Sequence, residues 1–150
     1  MKKIGLISFL FLVVVLFLYG ESRKFFCLED GRCITVWKTY NNICYVLPGK
    51  YYGLIKPSVH NYIKTNNINN LDIIWTKNND SLIVNFENND ASIFNSGKGV
   101  KIVNYSLNQK YNDSAFTYVD RGYRRYRNQV DYISIFLKDN YATDKNGKKL

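Results

Sequence analysis

The sequence predicts an all-β domain, mainly an antiparallel meander folded into a sandwich or a partly closed barrel, preceded by one N-terminal hydrophobic helix. Three observations carry this. From Arg23 onward, short runs of β-branched and aromatic residues alternate with clusters of Asn, Asp and Gly. No window of a dozen residues in that region holds an apolar stripe with a helical period. The start is different in kind, because Ile4 to Tyr19 is an unbroken uncharged run behind Lys2 and Lys3.

That run sets the organisation. Residues 1–22 read as a signal peptide or membrane anchor, 23–140 as a single extracytoplasmic β-rich domain, and 141–150 as a polar tail expected to fray. The 16 apolar residues span roughly 24 Å as a helix, short of a hydrocarbon core of about 30 Å, and extension to Ser22 nearly closes the gap. Gly20 and Ser22 suit cleavage after Ser22, whereas Glu21 between them fits it poorly. Lys2 and Lys3 favour a cytoplasmic amino terminus. Both readings export the chain, either anchored by residues 4–19 with the C-terminal domain outside, or periplasmic or secreted after cleavage. Cys27 follows Lys24-Phe25-Phe26 rather than small residues, which argues against a lipoprotein.

The 128 residues from Arg23 are enough for one core, since a domain of this size buries roughly two thirds of the surface its unfolded chain exposes. A hydrophobic fraction of 46% excludes wholesale disorder, and two prolines with nine glycines exclude collagen-like character.

An oxidising compartment allows one bridge among Cys27, Cys33 and Cys44. Leu28 to Arg32 reads as a hairpin with a three-residue loop in which Gly31 takes the left-handed conformation. Leu28 then faces Arg32 and Cys27 faces Cys33, the preferred pairing. Three reduced, buried thiols are the alternative. The cysteine spacing, with one histidine in the chain, does not suit zinc, and neither metal nor cofactor is expected.

The strands follow in order. Ile34–Trp37 and Ile43–Leu47 come first, then the Pro48-Gly49 turn into Tyr51–Ile55. Next are Leu71–Thr76, Ser81–Phe86, Ala91–Asn95 and Val100–Ser106 as consecutive antiparallel strands, with Leu82, Val84 and Phe86 on one face of their strand and Val100 and Ile102 on one face of theirs, so that one face of each can be buried. Ser114–Val119 and Val130–Leu137 close the series. The paired asparagines are ascribed to turns, because Asn tolerates the left-handed region.

Catalytic signatures are absent: the chain has no G-x-S-x-G, no H-E-x-x-H and no phosphate-binding glycine loop. His60, beside Pro57, has no carboxylate nearer in sequence than Asp72, so a structural role is expected of it. The local anomaly is Arg121, Tyr123, Arg124, Arg125, Tyr126 and Arg127, where four arginines and two tyrosines fall within seven residues. Neither strand face of such a segment can be buried, so it is expected to be exposed. Arginine forks bind phosphate or carboxylate and tyrosines stack, which makes it the anion-binding candidate. Its bland alternative is a solvated edge pairing with Asp120 and Asp131 and blocking aggregation.

From Arg23 on, 19 basic residues stand against 11 acidic ones, a net +8, half of it in that segment. Outside a cell the abundant anions are lipid headgroups and envelope polymers rather than nucleic acid. The expected function is therefore a non-catalytic, envelope-associated binding or structural β-domain, with an anionic lipid or envelope polymer, or a protein, as its partner. The alternatives are a small exported enzyme or toxin, nuclease-like and using His60 with Arg or Lys, and an inhibitor of another envelope protein.

Overall fold

The computed structural model describes residues 2–21, 23–39, 41–53, 57, 60–75, 81–86, 90–104 and 131–150. Helix α1 (Lys2–Glu21) precedes strands β1 (Arg23–Cys27), β2 (Cys33–Lys38), β3 (Ile43–Pro48), β4 (Tyr62–Asn66), β5 (Asn70–Trp75), β6 (Ser81–Phe86), β7 (Ser92–Phe94), β8 (Lys101–Asn104), β9 (Tyr132–Phe136) and β10 (Tyr141–Asp144). The strands form two five-stranded sheets, A in the order β1-β2-β3-β4-β7 and B in the order β10-β9-β5-β6-β8. The fold is a mostly-β sandwich with one N-terminal helix, and neither sheet closes into a barrel.

Period-2 alternation places the core. Phe26, Ile34, Val36, Cys44, Val46 and Ile63 of sheet A are buried against Leu71, Ile73, Leu82, Val84, Ile133 and Ile135 of sheet B. Leu82 and Val84 face inward with Phe86 packed beside them, as their spacing predicts. The β1–β2 hairpin has the expected turn: Leu28 and Arg32 close it, Gly31 sits at φ 87°, and Cys27 is opposite Cys33.

Three expectations need correction. The strands from Leu71 to Asn104 do not stay in one meander. β5 and β6 pair as a hairpin, but β7 crosses to cap β4, and β8 returns to run parallel to β6. Where the two sheets meet, side-chain amides stand in for strand pairing. Asn95 Nδ2 donates to the Ile102 carbonyl at 2.8 Å while its Oδ1 accepts from Ile102 N at 2.9 Å. Buried Asn61 donates to the Val100 carbonyl at 2.7 Å and accepts from Ser96 N at 2.6 Å. Asparagine here does more than make turns, although Asn42 and Asn140 are left-handed, at φ 61° and 59°.

The expected strand after Pro48-Gly49 is not formed at Tyr51–Gly53. Thr35 Oγ1 donates to the Gly49 carbonyl at 2.6 Å and accepts from Tyr51 N at 2.8 Å, which takes that N–H out of any ladder. Residues 54–56 lie outside the described residues, as does the expected strand Ser114–Val119.

The segment 141–150 is not a frayed tail. It contains β10, whose Ala142 is fully buried, and Leu150 returns to donate to the Ala142 carbonyl at 2.9 Å while packing on the core. Asp144 Oδ1 ties the turn between them by accepting from the backbone of Asn146 and Lys148. Burial of one alanine and one terminal leucine thus orders a stretch whose composition is polar.

Helix α1 meets the sheets at β1. Its side chains at 7–14 are exposed, Ile7 at 69% and Phe11 at 71%. Among the described residues no helix is long and apolar enough to cross a membrane, and the side chains at 2–4, 6 and 16–21 lie outside that description.

Candidate functional site

The basic segment Arg121, Tyr123, Arg124, Arg125, Tyr126 and Arg127 lies outside the described residues, in the connection from β8 to β9 of sheet B. Asp131, at its C-terminal end, is described. Its carboxylate accepts from Arg32 Nη2 and pairs with Lys145 Nζ at 2.8 Å. Arg32 also holds Asp30, with Nε 2.7 Å from Oδ2, and its guanidinium lies 5.2 Å from the Trp75 ring centroid. Beside it Lys148 Nζ meets Glu29 at 2.7 Å. The network fastens the β1–β2 hairpin to the β10 turn. The Arg32 hydrogen bond holds the Asp30 carboxyl below its ordinary value, and Lys145 first, then Arg32, does the same for Asp131. Charges this mutually satisfied make a structural clamp around a cleft of about 180 Å³.

The cysteines divide by face. Cys27 and Cys33 are bonded across the hairpin, and Cys44 is a free thiol in the core, pushed up to about 11 by burial. Such a thiol is almost wholly protonated at neutral pH and a poor nucleophile.

Arg23 occupies a site the sequence does not reveal. It opens β1 opposite Trp37, and its guanidinium lies 4.6 Å from the Trp37 ring and 5.4 Å from that of Tyr51, with Nη1 donating to the Tyr51 carbonyl at 3.2 Å. Its Nε and Nη2 are buried without a hydrogen-bond partner, and desolvation lowers its pKa. The rings offset part of that cost. Trp37 belongs to a second apolar cluster on the outer face of sheet A, with Tyr45, Leu47 and Tyr62. The 13 tyrosines are therefore in part structural.

His60 is exposed and edge-on to Tyr51, with ring centroids 5.2 Å apart. It lines neither the cleft beside Arg32 nor the second described cleft, of about 250 Å³ on sheet B, which includes Asp72 and Ser134. The structure does not bring His60 together with a carboxylate and an arginine among the described residues. Nor is any group of three or more His, Cys, Asp or Glu there placed to hold a metal ion.

No family model matches the chain, and no curated protein or solved structure matches it.

Sequence reasoning misses the Arg32–Asp131 clamp and the Asp72–Ser134 pair because the partners lie 99 and 62 residues apart. Trp37 in β2 and Tyr45 in β3 are the local signal for the outer cluster of sheet A, and a single aromatic in a strand is equally compatible with a core position.

Proposed function

We propose that the chain is an exported β-sandwich, anchored by residues 4–19 or released after cleavage near Ser22, which binds an anionic lipid surface or envelope polymer rather than catalysing a reaction. The observation that carries this is the charge distribution: a net +8 over residues 23–150, half of it in Arg121–Arg127. Such a concentration of guanidinium groups with two tyrosines offers bidentate phosphate or carboxylate contacts and ring stacking on one short segment. The exposed apolar side chains of α1 support the export half of the reading. Leaving one Leu, Phe or Ile in water instead of burying it forgoes about 1.5–3 kcal/mol. A bilayer or removal of the segment relieves that cost.

The test replaces Arg121, Arg124, Arg125 and Arg127 by Ser and compares sedimentation with vesicles of phosphatidylglycerol and of phosphatidylcholine. The wild type is expected to bind the anionic vesicles, more weakly as salt shortens the reach of its charges. The variant is expected to lose that binding while its thermal unfolding stays nearly unchanged. Equal binding by the variant would assign the segment to solubility, and a variant that unfolds would make its arginines part of the packing.

A further inference from the structure

We propose that the cleft on the outer face of sheet B binds one ring of a neutral sugar, at a site independent of the basic segment. Strand register assembles it from residues far apart in sequence. Thr143 lies opposite Ser134, and Ser134 opposite Asp72, so two hydroxyls and a carboxylate stand in one row across β10, β9 and β5. In the neighbouring row Tyr141 lies opposite Phe136, and Phe136 opposite Asn70. The rows are two residues apart along each strand, roughly 7 Å, and share a face, since the intervening Ile135, Leu71 and Ala142 point into the core. Asn70, Asp72, Ser134, Phe136 and Thr143 line the cleft and are half-buried, so a ligand can reach them.

The chemistry of the two rows is complementary to a polyol. Ser134 Oγ donates to Asp72 Oδ1 at 2.6 Å. With its proton committed, that hydroxyl presents lone pairs to a ligand, and the carboxylate beside it is acceptor-only. Acceptors of this kind suit the O–H donors of a sugar. Phe136, with Tyr141 stacked on it at 4.5 Å and 13°, adds a rigid apolar wall for the C–H face of the ring. Asp144 lines the same cleft and adds a further acceptor to its wall. Size limits the ligand. Pockets for drug-sized molecules run to roughly 300–1,000 Å³, and a cleft of about 250 Å³ takes one ring.

The experiment titrates the full chain in detergent micelles with methyl α-glucoside, methyl β-galactoside and methyl α-mannoside, following side-chain resonances by NMR. One of the three is expected to saturate with a Kd on the order of 1 mM, as befits a ligand of about a dozen heavy atoms. Asp72→Ala is expected to weaken it about tenfold, Thr143→Val less, and serine replacement of the four arginines not at all. Thr143→Val guards against loss of fold in the first variant. The proposal is overturned if no glycoside perturbs the cleft at tens of times that concentration, if ethanolamine saturates the site in place of the sugars, or if both cleft variants bind as the wild type does.

Discussion

Arg32 and Asp131 are 99 residues apart in the chain and joined as an ion pair in the fold. The pair ties the first hairpin of sheet A to the start of β9, an interior strand of sheet B. Asp30 and Lys145 extend it on either side.

Acid is expected to loosen this clamp. Asp30 and Asp131 have folded-state pKa values below their unfolded ones. Their contribution is therefore complete above the unfolded value, near 4, and is lost as pH falls through the lower folded value. The Asp131 side chain is 39% exposed, so the clamp contributes little, about 0.5–1 kcal/mol. Urea unfolding between pH 7 and pH 2 should give a flat stability that declines below about pH 4, and Asp131→Asn should shallow the decline. An unchanged acid limb in that variant would show that the clamp does not couple to folding.

Peptide mapping without reductant should recover Cys27 linked to Cys33. The closed loop is small, so the bond adds about 2 kcal/mol on the chain-entropy account, and Cys27→Ser with Cys33→Ser should still fold. Cys44, buried with a thiol pushed up to about 11, should resist alkylation at pH 8 until denaturant is added. Recovery of Cys44 in a mixed peptide would refute the pairing.

Asn61 is an edge contact expected to be sensitive to substitution. Its amide satisfies Val100 O and Ser96 N from a buried position. Asn61→Ala should cost about 2 kcal/mol, whereas Asn146→Ala, on the exposed β10 turn, should stay within about 0.5 kcal/mol. Equal melting temperatures for the two variants would remove the edge role assigned to Asn61.

Topology can be read with a reporter. Alkaline phosphatase fused after Leu150 should be active in a bacterial host, and the mass of the mature protein should separate an intact amino terminus from one beginning near Arg23. A reporter that is inactive, while a cytoplasmic reporter at the same junction works, contradicts export.

Much of this protein was legible locally. The alternation of Leu82, Val84 and Phe86, the turn residues Gly31 and Gly49, and the facing of Cys27 and Cys33 all follow from neighbours within a few positions. A side chain's direction in a strand and a glycine's access to positive φ are local properties. The basic and apolar segments were equally plain, because composition alone reveals them.

Which strands become neighbours was decided by the tertiary structure. Nothing within Ser92–Phe94 says that it leaves β6 for β4; the choice depends on an unpaired β4 edge and a place for Ile93 on the core. The same holds for the tail, where Leu150 is ordered by a core formed mainly from residues before 138. The clamp of Arg32 with Asp131 and the cleft row of Thr143, Ser134 and Asp72 depend on register between distant strands. A shift of one residue would turn every one of those side chains to the other face, and burial of the apolar face is what forbids it.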